Sequence, residues 1–201
     1  MPSARINGVT LDYEETGSGF PLIWCHEFGG DYRSWEPQVR YFSRRYRVIT
    51  WNYRGYPPSD VPQDPAAYRN EILVEGPAAL MRHLGIERAH VGGLPMGGNV
   101  ALNFGIAHPD MPENLIICGC GSGTVGRETF PAEGEQRAQQ FLNEGIEAKA
   151  RNFAGLVMLP MTGHTSNIEE PALFNLHVAE FLAAVEHGRG GTWKAEKASR
   201  G

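Results

Sequence analysis

The stretch Ala89-His90-Val91-Gly92-Gly93-Leu94-Pro95-Met96-Gly97-Gly98 decides how this chain is read. It passes from a short apolar run, Ala89 to Gly92, through a glycine-bounded turn, Gly93 to Gly97. A segment of helical spacing follows from Gly98 to His108. A strand that turns within five residues into a helix is the building unit of a mostly parallel sheet covered by helices. The same alternation extends both ways. Upstream, Val9 to Glu14 and its continuation read as an early strand, ended by Gly17-Ser18-Gly19, and Pro21 to Cys25 as a short buried strand. Trp35 to Arg44 reads as a helix, with Trp35, Val39 and Phe42 at helical spacing, and Arg47 to Trp51 as the next strand. A helix then spans about Tyr68 to Leu84, where Gly76-Pro77 is expected to kink it or delay its start, because proline removes a helix hydrogen bond. Downstream, Leu115 to Cys120 reads as a strand, Glu133 to Phe153 as an amphipathic helix and Leu156 to Leu159 as one more short strand. The last helix runs from about Glu170 to Glu186, with Leu173, Val178, Phe181, Leu182 and Val185 facing inward.

Composition narrows the function classes. In 201 residues, 41% are hydrophobic and 20% charged, and 25 glycines mark many tight turns without a collagen-like period. No run approaches the roughly 18 apolar residues of a membrane span, so no membrane partner is expected. The start, Met1-Pro2-Ser3-Ala4-Arg5-Ile6-Asn7, lacks the apolar core of a secretory signal, and three cysteines do not make a disulfide framework. The expectation is a cytoplasmic, reduced protein. Its net charge of −5 divides unevenly, because Arg189, Lys194, Lys197 and Arg200 against Glu196 give residues 188–201 a charge of +3 and leave the body at −8. An acidic body argues against a nucleic-acid partner, and the basic 188–201 segment reads as a disordered tail after a single domain of residues 1–187.

The turn at Gly93-Leu94-Pro95-Met96-Gly97 resembles the G-x-S-x-G nucleophile elbow of the α/β-hydrolase family, with Pro95 in the place of the serine. Other landmarks follow in the family's order. His26-Glu27-Phe28-Gly29-Gly30 resembles the H-G-x-x-G loop, with Glu27 for a usual glycine. Asn52-Tyr53-Arg54-Gly55-Tyr56 resembles the D-x-R-G-x segment, with asparagine for aspartate. Gly163-His164-Thr165, followed by Glu169-Glu170-Pro171, resembles the catalytic-histidine loop. Together these matches span residues 5–123 and about 155–187. The resemblance implies an α/β-hydrolase fold, oxyanion-hole donors at Phe28 N–H and Met96 N–H, elbow glycines Gly93 and Gly97, and a catalytic histidine at His164. It also implies an abbreviated chain. Only residues 121–155 join the Leu115 strand to the Leu156 strand, so the acid-bearing strand-helix unit and most of the cap are expected to be missing, with about 124–154 as a reduced cap or crossover helix.

Pro95 supports two readings. A serine hydrolase without its Oγ forms no acyl-enzyme, and proline, with φ near −65°, does not fit the positive-φ geometry of such an elbow. Alternatively, the turn is an ordinary strand-to-helix junction with proline near the helix start. His164 is the remaining catalytic candidate. His26 reads as a loop brace, His177 as a packed or rim histidine, and His90 and His108 as solvated residues at element edges. Glu128 is the first carboxylate after the Leu115 strand and so the possible acid. Glu169 and Glu170 suit a helix start, and Ser122 reads as a loop serine. Cys118 and Cys120 alternate onto one strand face as small hydrophobes, without the further ligands that a metal needs, and no nucleotide-binding motif is present. No cofactor is expected. The resulting expectation is an α/β-hydrolase-family protein, ancestrally acting on esters or related small apolar molecules, with little or no serine-hydrolase activity. The alternatives are a non-catalytic binder of a small ligand, or an enzyme in which His164 acts without a covalent step.

Overall fold

The computed structural model of the chain describes residues 2–119 and 165–188. Among them six strands form one sheet: β1 (Ser3–Ile6), β2 (Val9–Thr16), β3 (Phe20–Cys25), β4 (Tyr46–Trp51), β5 (Ala89–Gly93) and β6 (Pro112–Ile117). Their spatial order is β1-β2-β4-β3-β5-β6. The first two neighbours pair antiparallel and the other three pairs are parallel, so the sheet is mostly parallel as expected.

Both faces of the central strands are apolar, which is why helices cover both. On one face Ile23, Cys25, Ile49 and Trp51 pack with Ala78, Leu80 and Met81 of α2 (Asn70–His83) and with Val100, Ala101 and Phe104 of α3 (Pro95–Ala107). On the other, Leu22, Trp24 and Val48 meet Phe42 of α1 (Glu36–Phe42), and Phe174, Val178 and Leu182 of the last helix. That helix, Pro171–Glu186, follows a single turn, Ser166–Glu169; these are α5 and α4. Trp24 and Trp35 stack at 4.3 Å in this second layer.

Several boundaries differ from the sequence reading, each for a local reason. α1 is preceded by a 3₁₀ turn, Tyr32–Trp35, in which the Asp31 carboxylate accepts from Arg33 N–H, so Trp35 belongs to that turn. α2 runs without interruption through Gly76-Pro77. A Cβ at Gly76 would lie 2.5 Å from Trp51 Cη2, so this glycine lets the helix press onto the sheet, and that packing outweighs the hydrogen bond lost at Pro77. α3 starts at Pro95 rather than Gly98, with proline at a position where its missing N–H has no helical partner to lose. β6 covers Pro112–Ile117, because its parallel register with β5 begins at Pro112. The expected helix Glu133–Phe153, the strand Leu156–Leu159 and the 189–201 tail lie outside the described residues.

Of the two histidines read as solvated, His108 is partly exposed and paired with a carboxylate, and His90 is buried. His108 Nε2 donates to Glu75 Oε2 at 2.7 Å. His90 is 2% exposed, accepts at Nδ1 from Asn114 Nδ2 at 2.7 Å, and packs its ring 4.8 Å from Phe20 and 5.8 Å from Tyr46. Burial lowers the His90 pKa to about 4, against the weaker opposing pull of the Glu113 and Glu186 charges. The folded chain thus holds His90 neutral down to about pH 4, whereas the unfolded chain protonates it near 6.5. Its contribution to stability is intact above pH 6.5 and is lost as pH falls from 6.5 to 4, on the order of 3 kcal/mol in all. Urea unfolding at pH 7 and pH 4 should show a smaller loss of stability for His90→Phe than for the native chain, by about that amount. Equal losses would contradict this role for His90.

Candidate functional site

The parallel register pairs Cys25 with Trp51 on one side and with Gly93 on the other. The loops that leave β3, β4 and β5 therefore emerge side by side at the carboxyl edge of the sheet, where open α/β sheets bind their ligands. His26–Gly30 follows β3, Asn52–Asp60 follows β4, and Leu94–Gly98 joins β5 to α3.

The elbow is the tightest of these turns. Leu94 N–H donates to Cys25 O at 3.4 Å, and Gly98 N–H to Leu94 O at 2.8 Å, which closes the first helical turn. A Cβ at Gly93 would lie 2.6 Å from Gly98 N, and one at Gly97 would lie 2.8 Å from His26 O and still closer to Cys25 O. Both glycines are therefore sterically required by this packing, independently of any nucleophile. Leu94 has extended φ/ψ of −94° and 165°, and Asn7 is the one non-glycine residue with positive φ among the described residues. Pro95 thus sits in an unstrained junction. It carries no hydroxyl, thiol or carboxylate. Cys25, across from Gly93, does not replace it, because burial pushes its thiol up to about 11.

The loop after β3 is held by side chains. The His26 ring donates from Nδ1 to Glu27 O at 2.7 Å and accepts at Nε2 from Tyr53 N–H at 3.3 Å. Burial lowers its pKa, with weaker opposing effects from the Glu27 backbone and the Glu27 and Asp31 charges, so His26 is a neutral brace between two loops. Asn52 has a similar task. Its Oδ1 accepts from Tyr32 N–H at 2.8 Å and its Nδ2 donates to Pro57 O at 2.9 Å. Aspartate could accept but not donate here, which gives the asparagine a structural reason. Glu27 is buried and accepts at Oε1 from Ser34 Oγ at 2.7 Å.

Phe28 and Met96 flank one spot. The Tyr56 hydroxyl donates to Phe28 O at 2.9 Å and lies 3.8 Å from Met96 Sδ. Burial, then the Glu27 charge, raises the Tyr56 pKa, which keeps the phenol protonated and able to donate. The Phe28 side chain is 78% exposed. In the sequence Tyr56 ends the Asn52-Tyr53-Arg54-Gly55-Tyr56 motif, and nothing in that local pattern shows that its hydroxyl spans two other loops. His164 and Glu128, together with Ser122 and Cys120, lie outside the described residues. The segment just after His164 is described and anchored. Asn167 is buried, and its Nδ2 donates to Ser34 O at 2.8 Å and to Gln38 Oε1 at 3.2 Å. Gln38 Nε2 in turn donates to Asn167 O at 3.0 Å and to Asn175 Oδ1 at 3.1 Å. Among the described residues no group of three or more histidine, cysteine, aspartate or glutamate side chains is placed to hold a metal. Nor is any helix there long and apolar enough to cross a membrane.

Comparison with known proteins agrees with this geometry. A family model described as alpha/beta hydrolase fold matches residues 21–136. Epoxide hydrolase 3 of Mus musculus is 28% identical over 119 residues, 58% of this chain and 32% of that protein. The 2-hydroxy-6-oxo-6-phenylhexa-2,4-dienoate hydrolase of Comamonas testosteroni is 35% identical over 136 residues, 64% of this chain and 46% of that protein. The chain thus spans a third to a half of the length of these curated relatives. The crystal structure of the enol-lactonase from Burkholderia xenovorans superposes with a TM-score of 0.59 at 26% identity, covering 95% of this chain and 71% of that one.

The steric account of the elbow is open to direct test. Gly97→Ala should lower stability to urea by about 3 kcal/mol or more, because the new methyl meets backbone atoms that cannot move aside. Gly29→Ala, where a Cβ would find open space, should stay within about 1 kcal/mol of the native chain. Equal effects would show that close packing at Gly97 does not govern the turn.

Proposed function

The chain belongs to the α/β-hydrolase family, and from that premise we propose that it binds a small molecule with an apolar body at the elbow, with little or no turnover through a covalent serine intermediate. The observation that carries this reading is Pro95 at the first position of α3, between two glycines that the packing demands. The turn that would present a nucleophile is retained, and the nucleophilic atom is absent. Covalent hydrolysis needs that atom, an activating base and an orienting acid. The names of the relatives describe an epoxide and a phenyl-substituted hexadienoate as substrates, which supports a small ligand with an apolar body.

In a second reading, His164 acts as a general base on water, with Phe28 N–H and Met96 N–H facing the developing negative charge. Support comes from the Asn167 clamp, which ties the residues just after position 164 to the turn that carries Ser34. In this reading the amides and binding alone supply weak turnover of activated esters, and His164→Ala removes it.

The experiment is labelling by a serine-reactive fluorophosphonate, combined with turnover of an activated ester. The native chain should not label. Pro95→Ser, which places an Oγ at the elbow without displacing the helix start, should label weakly, and adding His164→Ala should abolish that labelling. Robust ester turnover by the native chain that survives His164→Ala would overturn both readings. Strong labelling of Pro95→Ser would show that a complete acid and base pair, with Glu128 as the candidate acid, is in place.

A further inference from the structure

Position 27 is where the loop resemblance calls for glycine, and it holds a carboxylate. Glu27 is 8% exposed. Oε1 takes the Ser34 hydroxyl, while Oε2 is enclosed and has no hydrogen-bond partner among the described residues. None of the ion pairs among the described residues involves it. The nearby histidine is the neutral brace His26, which turns its Nδ1–H to the Glu27 backbone carbonyl, not to the carboxylate. Enclosing a carboxylate without a counter-charge is unfavourable. Even so, the fold is shaped around this side chain, since a Cβ at Gly30 would overlap its carboxylate.

The surroundings suit one kind of counter-charge. The rings of Tyr53 and Tyr56 lie 4.5 and 4.6 Å from that of His26, directly before Glu27, and Phe28 directly after it presents an exposed ring. Alongside burial, the Glu27 charge helps raise the pKa of both Tyr53 and Tyr56, so aromatic residues lie within the field of this carboxylate. That setting suits organic cations, whereas the described residues here offer too few oxygen or nitrogen ligands for a metal ion. The same charge disfavours a carboxylate or an oxyanion beside Phe28 N–H.

We propose that the elbow site takes a small amine, its ammonium group paired with Glu27 Oε2 and its apolar body against Phe28, Tyr56 and Met96. This rests on the reading of the elbow as a non-covalent binding site and adds the ligand class. Entry requires Phe28 to Gly30 to move aside, a stretch with two glycines and an exposed ring. Glu27 then becomes the residue that selects charge, in the loop that in a hydrolase would welcome an anion.

The test is calorimetric titration of the full chain at pH 7 with benzylammonium, benzyl alcohol and benzoate, which share one ring and differ in the head group. Benzylammonium should bind at least tenfold tighter than either of the others. Glu27→Gln, which keeps an acceptor for Ser34 Oγ, should erase that preference. Absence of an ammonium preference in the native chain overturns the proposal whether or not the variant folds, and so does a preference that survives Glu27→Gln. Fluorophosphonate labelling separates this outcome from the fate of the non-covalent reading. A labelled, amine-selective chain would keep the Glu27 site and lose that reading, whereas an unlabelled chain without amine preference would lose the Glu27 site alone.

Discussion

The approach of α3 to the end of β3 is the constraint on which the rest of the site depends. The helix begins so close to the strand that the Gly97 Cα faces the carbonyls of Cys25 and His26, and Gly93 faces the backbone of Gly97 and Gly98. Only glycine fits at both positions. The approach fixes where β5 ends, sets the first turn of α3 beside the loop after β3, and leaves Met96 and Phe28 around the Tyr56 hydroxyl. Because these requirements are steric, they persist whatever residue stands between the glycines. That is why Pro95 can occupy the nucleophile's place without disturbing the fold.

Polar side chains then lock the loops in register. His26 bridges the β3 and β4 loops as a neutral ring, and Asn52 joins the Tyr32 turn to Pro57 through one acceptor and one donor. From the other end of the chain, Asn167, Gln38 and Asn175 pin α4 and α5 to the Ser34 turn. Buried amides serve this purpose because they supply donors and acceptors together without the desolvation cost of a charge. Two charged side chains are buried among the described residues, Arg54, which donates to the carbonyls of Ala67 and Asn7, and Glu27, whose Oε2 has no partner there.

Much of the architecture was legible in the order of residues. Alternating apolar runs and helical stripes placed β3, β4, β5 and α5 close to their observed bounds. The two glycines around Pro95 mark the elbow in the sequence itself. The errors fell where packing overrides local preference. α2 continues through Gly76-Pro77 with Gly76 against Trp51, and His90 is buried because Phe20 of the adjacent β3 and Tyr46 of β4, one strand further, cover it. Neither contact has a signal within the local window of sequence.

By itself, then, the sequence determined the strand-turn-helix order, the fold class and the absence of a nucleophilic atom at position 95, since spacing, glycine placement and side-chain chemistry are properties of the chain alone. Only the tertiary structure decided that Tyr56 spans Phe28 and Met96, that His26 is a neutral brace and that the Glu27 carboxylate is enclosed with one oxygen unpaired among the described residues. Those facts depend on hydrogen-bond partners and exclusion of water, and both arise when β3, β4 and β5 bring distant loops to a common edge of the sheet.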